Sequence, residues 1–469
     1  MAASSDLLRI PLACVRMSVP LEPTRLTQDL AMMIARYLLL AICLSLATAP
    51  LAAQDRKTKV LNDRDTFAKN DVWVYNDLAE GFEEAKKSGK PLLVVLRCIP
   101  CEACSHFDKQ LLDEQENMRD LLDQFVCVRI VQANGLDLNL FQFDYDQSFH
   151  AVFLQDSKTI YGRYGTRSEK PEDEDMTLAG FRQAMRRVLE IHSSAPEKKV
   201  ALAGKRGGPV PFAIPEQLPS LKGKYQGKID YEGNVVQSCI HCHQIRDAER
   251  LVYRNEKREM PEQVLFPYPL PQVIGLTMDP NECATVKAVS PGSAAATTLE
   301  VGDEILEINS QPIVSTADIQ WVLHNAAAEA KLKLTYRRDE KVRTATLALP
   351  RGWRRKSDLS WRPTTWELRR IAAGGLQLVD LTDAERKSRQ LPVDSLALRV
   401  KHAGEYGEHA VAKNAGFRKD DVLVQVDDAE ERWSETDFLA AAIAKPQGKK
   451  LAVTVLRGTE RVKLMLPIQ

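Results

Sequence analysis

The sequence predicts an α/β domain, then a short Cys-x-x-Cys-His segment, then two mainly-β (α+β) domains of one kind. Three observations predict this order. The apolar run Pro91–Leu96 reads as a buried strand and leads into three cysteines, Cys98, Cys101 and Cys104, followed by an amphipathic stretch. Ser238-Cys239-Ile240-His241-Cys242-His243 stands alone after a Lys-, Gly- and Pro-rich stretch. From Val273 onward two blocks share one order of elements, the second about 118 residues after the first (Asp303 against Asp421).

The chain has 469 residues, 44% hydrophobic and 27% charged, which is a globular composition with room for roughly three to four domains. Lys+Arg and Asp+Glu both number 64, so no global charge draws it to nucleic acid or anionic lipid. One long apolar run, Tyr37–Ala53, follows Arg36 and closes on small residues. That is the pattern of a secretory leader, expected over 1–53, with a periplasmic or secreted location and no membrane span once the leader is cleaved. Two of the nine cysteines, Cys14 and Cys43, lie in the leader, and the rest are mostly clustered. Clusters in an exported chain point to redox or cofactor chemistry, because a disulfide framework spreads its cysteines.

Within the first domain, Asp77–Lys87 reads as a helix stopped by Ser88-Gly89. Phe125–Val131 is a second buried strand, with Cys127 as a core thiol. Ala151–Leu154 and Thr159–Tyr164 form a hairpin, and Leu178–His192 is a closing helix. A Cys-x-x-Cys at a strand-to-helix junction has a definite chemistry. The helix N-terminus favours a thiolate on the first sulfur, and the second sulfur, one turn on, resolves the mixed disulfide.

This order resembles the thioredoxin fold over about residues 70–193, and the resemblance places the active pair at Cys101 and Cys104, three residues after Cys98. It departs at His150, which stands where that family has a cis-proline facing the cysteines. An imidazole facing two thiols is also a metal ligand. Dithiol exchange, metal binding and a structural disulfide therefore all remain open, as does the alternative pair Cys98–Cys101 (CIPC).

Residues 194–234 read as a linker and 235–272 as the segment that carries Cys-x-x-Cys-His. That motif attaches c-type haem: Cys239 and Cys242 take the vinyl groups and His243 the iron. Met260 is the better candidate for the second axial ligand and Met278 the poorer. Zinc held by Cys239, Cys242 and His241 or His243 is the alternative, and a plain disulfide a third. Gln263–Gln272 is a Pro-rich connector.

The two blocks, 273–350 and 374–469, resemble bacterial PDZ domains. The first does so through SPGSAA…VGDEILEIN and the second less closely, with Asp420-Asp421 replacing a Gly-Asp turn. In that family a Gly-Leu loop offers N–H groups to a peptide's C-terminal carboxylate, and the peptide adds as a strand beside the one that follows. The resemblance carries this role to Ile274, Gly275 and Leu276, and to Gly374, Gly375 and Leu376. Between the blocks, 351–373 is a linker rich in Trp and Arg. Its tryptophans are expected to dock on a neighbouring domain beneath arginines, not on single-stranded nucleic acid.

The full order is similar to the thioredoxin-like/PDZ (seleno)protein family, here with cysteine throughout and with no Gly-x-Ser-x-Gly or His-Glu-x-x-His of a protease. The resemblance implies an exported thiol-disulfide oxidoreductase that gathers protein clients by their C-terminal tails and meets a redox partner protein. The competing expectation is a non-catalytic scaffold or protease adaptor whose cysteines hold metal or disulfides.

Overall fold

The computed structural model describes residues 56–99, 105–194 and 201–469; the leader and both Cys101 and Cys104 lie outside them. Five strands make the first sheet: β1 (Trp73–Tyr75), β2 (Leu92–Arg97), β3 (Val126–Ile130), β4 (Phe149–Leu154) and β5 (Ile160–Tyr164). Their order is β1-β3-β2-β4-β5, with β1, β3 and β2 parallel and β4 and β5 added antiparallel. Every residue of β2 is buried because both faces of the sheet are covered. Leu93 and Val95 point into one core with Phe107 and Leu111 of α3 (Ser105–Asp113) and Phe181 and Met185 of α4 (Leu178–Ser193). Leu92, Val94 and Leu96 point into the other, with Ala85 of α2 (Leu78–Ser88); residues 56–67 form α1.

Local signals account for the boundaries. Asp77 caps α2 by accepting from the Glu80 N–H, and Gly89 ends it in the left-handed region at φ +70°. Thr177 caps α4 in the same way through the Gly180 N–H. Two details have no counterpart in the sequence pattern. β1 spans only three residues, too few for a period-two pattern to register. After Asp113 the chain continues as a 3-10 turn and the separate turn Arg119–Leu122, not as one helix.

The stretch expected as a linker is part of the fold. Leu218 and Leu221 are buried in the second core, and Val210, Phe212 and Tyr225 pack against it. The Cys-x-x-Cys-His segment joins them, because α5 (Cys242–Asn255) sends Ile245, Ala248 and Val252 into that same core. The segment is too small to bury its own apolar face, and it uses the open side of the sheet instead.

In the first repeat, β6 (Leu276–Met278) pairs with β7 (Val286–Val289). A second sheet has the order β11-β10-β8-β9, from β8 (Glu304–Ile308), β9 (Gln311–Pro312), β10 (Ala330–Arg338) and β11 (Lys341–Leu349). Helix α6 (Thr316–Asn325) lies between β9 and β10 in the chain. The second repeat has α7 (Thr365–Ala373), then β12 (Leu376–Asp380), β13 (Leu398–Ala403), β14 (Val422–Val426), α8 (Glu435–Ile443), β15 (Lys450–Arg457) and β16 (Glu460–Pro467). Its strands form one sheet in chain order.

The repeats match in detail at the turn where their sequences diverge. Asp303 accepts from the Glu300 N–H and pairs with Arg338; Asp421 accepts from the Arg418 N–H and pairs with Arg457. Asp420 takes Gly302's place at φ +68°, against +90° for the glycine, a region that Asp tolerates better than most residues.

The first repeat docks on the edge strand β5. Ser315 Oγ donates to the Arg163 carbonyl at 2.6 Å, and Arg163 stacks on Trp321 at 3.9 Å. Lys205 Nζ pairs with Asp318 at 2.8 Å, with both side chains buried. Gly180 of α4 faces Pro280, where an added Cβ would stand 2.1 Å from the carbonyl oxygen. Gly180→Ala, a change that favours an isolated helix, is therefore expected to destabilise this chain by about 1–3 kcal/mol, measured as a lower urea midpoint. The Trp/Arg stretch is a splice between units. Trp353 enters the first repeat's core, and Leu368, Ile371 and Ala372 of α7 enter the second's. Arg354, Arg362 and Arg369 lie over Trp353, Trp361 and Trp366 respectively.

Candidate functional site

Strand β2 delivers Cys98 to the end of the sheet, where its N–H donates to the Ser148 carbonyl at 2.9 Å. The hexapeptide that carries the second motif is fixed beside it by the loop after β3. Asn134 accepts from the Ile240 N–H at 2.8 Å and donates to the Ser238 carbonyl at 2.9 Å. His241 is the N-cap of α5, with its N–H donating to Gln244 Oε1 at 2.8 Å. This holds the imidazole so that Nδ1 lies 3.0 Å from Cys98 Sγ. Cys98 and the Cys-x-x-Cys-His motif, far apart in sequence, thus share one location.

Cys239 belongs to the same place. It is 4% exposed in a nest of Val60, Ile229 and Val235, with Ile99 packed against the same cluster. Burial, and then the nearby Cys98, push its thiol up to about 12. Cys242 opens α5 and leans on the second core of the sheet. The His243 ring lies 5.6 Å from that of His241 at an interplanar angle of 18°, and its Nδ1 is 3.8 Å from Asp247. Cys127 is a buried core thiol in β3, its pKa raised by burial.

Behind Cys98 runs a buried network of ions. Asp108 of α3 takes Arg129 at 2.8 Å and Arg97 at 3.2 Å, and Arg129 also holds Asp63 at 2.7 Å. Arg97 further donates to the Cys98 carbonyl and, at 3.1 Å, to the Ser148 carbonyl. Burial works to raise the Asp108 carboxyl, but hydrogen bonds and charge from Arg129, then Arg97, outweigh it and hold it below its ordinary value. Its stabilising effect is therefore complete above the unfolded value of 3.8 and is lost as pH falls through the lower folded value. Unfolding titrations between about pH 5 and pH 3 should show stability falling with acid less steeply in Asp108→Asn than in wild type.

His150 lies in β4 opposite Leu96, where the family's cis-proline was expected. The ring is buried, stacks on Phe143 at 4.5 Å, and its Nδ1 meets Gln147 Oε1 at 3.0 Å. Burial, then Arg163, hold it well below the usual histidine value, so it is neutral. It acts as a wall of the second core. Among the described residues no three His, Cys, Asp or Glu side chains converge as a metal-binding group.

A covalent haem needs Cys239 and Cys242 turned to one porphyrin and an open face above His243. The packing does not fit it. Cys239 is enclosed by aliphatic side chains, and His241, one of the two residues between the cysteines, is held against Cys98. Met260 packs on the core of the second repeat, beyond the far end of α5 from His243, so the structure does not bring the expected axial pair together. Met278 is buried in the first repeat's core.

The expected peptide loops are formed, and the N–H groups of their glycines are in use. Pro271–Ile274 is a 3-10 turn ended by Gly275 at φ +88°, whose N–H donates to the Gln272 carbonyl at 2.9 Å before Leu276 opens β6. Gly374 caps α7, the Gly375 N–H donates to the Arg369 carbonyl at 2.9 Å, and Leu376 opens β12. In the second repeat the strand itself is engaged: the Leu378 N–H donates to Glu435 Oε1, and Glu435 pairs with Arg369 of α7 at 2.6 Å. β12 is the edge strand of its sheet, and Glu435 of α8 occupies one of its N–H groups beside Gly374, Gly375 and Leu376.

His241 and the Arg97–Asp108–Arg129–Asp63 network were not foreseen as partners of Cys98. No sequence pattern carries a contact across 143 positions. The one available hint was that His241 sits inside a cysteine motif.

Comparison with known proteins finds the thioredoxin-like family over residues 73–155 and the PDZ domain over residues 272–349. A probable periplasmic serine endoprotease DegP-like of Pseudomonas fluorescens is 29% identical over 166 residues, 35% of this chain and 33% of that protein. One of the same description from Pseudomonas savastanoi pv. phaseolicola is 26% identical over 181 residues, 38% of this chain and 36% of that protein. The chain thus spans about a third of the length of the curated relatives it matches. Among solved structures, an HtrA-type protease, AlgW, with a decapeptide matches at TM-score 0.18 and 17% identity, over 29% of this chain and 40% of that one. No helix among the described residues is long and apolar enough to cross a membrane. The chain therefore joins a thioredoxin-like domain to a PDZ domain.

Proposed function

We propose that this chain is an exported thiol-disulfide oxidoreductase whose reactive sulfur is Cys98, with protein clients brought to it through the PDZ domain. The observation that carries this reading is the 3.0 Å approach of His241 Nδ1 to Cys98 Sγ. An imidazolium beside a thiol favours the thiolate, the form that attacks disulfides. The Cys98 thiolate attacks one sulfur of a client disulfide, forms a mixed disulfide and expels a client thiolate. Cys101, at resolving distance in sequence, then attacks Cys98 Sγ and releases the second client thiolate. Two electrons pass from the Cys98–Cys101 dithiol to the client, and a partner dithiol returns them. The secretory leader expected at 1–53 and the periplasmic relatives both favour an exported site of action. The relatives' proteolysis is not carried over, because the sequence lacks a Gly-x-Ser-x-Gly motif.

Insulin-disulfide reduction by the full chain tests this. Cys98→Ser and Cys101→Ser should each abolish turnover, and Cys104→Ser should retain it. An inactive wild type, or an active Cys98→Ser, overturns the reading; loss in Cys101→Ser and Cys104→Ser alone moves the chemistry to that pair. Zinc is the second reading, since sulfur and imidazole nitrogen are both zinc ligands. Stoichiometric zinc in the native protein, with no reductase activity, would favour it.

A further inference from the structure

In the first repeat a bound peptide would lie between β6 and α6, and the chain's own connector is already there. One face of α6 carries Thr316, Gln320 and His324, spaced four apart. Thr316 and the β6 residues Thr277 and Met278 border one narrow cleft, whose remaining wall includes Leu270, Pro271 and Gln272 of the connector. Tyr268 covers the rest of that face. Its ring stacks on His324 at 4.0 Å and 13°, its N–H donates to His324 Nδ1 at 3.3 Å, and its carbonyl accepts from Gln320 Nε2 at 3.2 Å. The side chain is 4% exposed and joins the core cluster of Ile274, Leu276 and Leu323. Its φ of +44° is one that tyrosine seldom adopts, so its surroundings hold it there. Arg362 fastens the segment from behind, donating to the Pro267 and Tyr268 carbonyls while paired with Asp144 and Asp146 of the thioredoxin-like domain.

We infer that Tyr268 is a built-in plug of the first PDZ slot, and that a client tail enters only by displacing it. The inference rests on the PDZ domain being a tail binder. In the second repeat the segment before the glycine loop is the helix α7, ion-paired to α8. The first repeat has instead a single aromatic ring and four main-chain hydrogen bonds to α6 and Arg362 side chains, three of them longer than 3.1 Å. That difference makes the first slot the one that can open. The affinity seen for a tail is then its intrinsic affinity multiplied by the fraction of chains with Tyr268 withdrawn.

The test is fluorescence anisotropy on the full chain with labelled decapeptides ending in Val, Leu or Phe, as free carboxylates and as amides. Tyr268→Ala should bind the free-carboxylate peptides at least about tenfold more tightly than wild type, and the amides should bind neither. Gln320→Ala, which removes only the clamp on the Tyr268 carbonyl, should move affinity the same way by a smaller factor and serves if Tyr268→Ala fails to fold. Equal affinity in wild type and variants overturns the plug and leaves the tail-binding reading intact. No binding by any of them overturns both. Hydrogen exchange gives an independent readout: peptide bound to wild type should raise exchange at residues 266–272, and bound peptide with those amides still protected contradicts the inference.

Discussion

His241→Ala is expected to slow alkylation of Cys98 by iodoacetamide at pH 7 by about ten- to hundredfold, read by mass spectrometry of the modified peptide. Thiolate is the species that alkylates, and His241 Nδ1 stands 3.0 Å from Cys98 Sγ. Removing the ring takes away the hydrogen-bonding partner of the Cys98 sulfur without altering β2, which is fixed by its sheet partners on both sides. Cys239 supplies an internal control, since burial pushes its thiol up to about 12 and it should react slowly in both proteins. Slowing confined to Cys98 supports the pairing. A general change at Cys98, Cys239 and Cys242 alike would mean that α5 had shifted, and an unchanged Cys98 rate would remove His241 from the chemistry.

Arg362→Ala should cost about 3–5 kcal/mol of stability in urea unfolding. The guanidinium is buried, takes Asp144 at 2.7 Å and Asp146 at 3.0 Å, and both carboxylates are buried as well. Burial raises the Asp144 carboxyl and Arg362 works against it, while for Asp146 Arg362 and Arg250 prevail and hold it low. Without Arg362 the two acids face each other with much less compensation. Replacing all three together by apolar residues of like volume should cost far less, because no charge is then left uncompensated. The size of the single-variant effect therefore measures how firmly the Trp/Arg stretch bolts the thioredoxin-like domain to both repeats.

How much of this was legible in the sequence follows from which interactions are local. The strand before Cys98, the hairpin at 151–164 and the helix from Leu178 are all written in short-range periodicity, and the structure has them. The internal repeat was legible too, and it holds at Asp303 and Asp421 even though Gly302 has become Asp420. The segment at 201–234 looked like a linker because its buried leucines, Leu202, Leu218 and Leu221, are spaced with no helical or strand period. They are read by sheet faces assembled elsewhere in the chain. The Cys-x-x-Cys-His motif invited haem because the pattern alone does not show that Cys239 faces an aliphatic nest and that His241 faces another motif's cysteine. Charge was equally opaque: no local pattern marks Arg362, Asp144 and Asp146 as buried, and the fold encloses all three.

The most direct test of the shared site is cross-linking of the reduced native chain with dibromobimane, which bridges thiols only a few ångströms apart, followed by peptide mapping. The account predicts a bridge from Cys98 to Cys239, joining the strand-end run to the hexapeptide, and its loss in Cys98→Ser. Bridges formed only within each motif, with none between them, would contradict it.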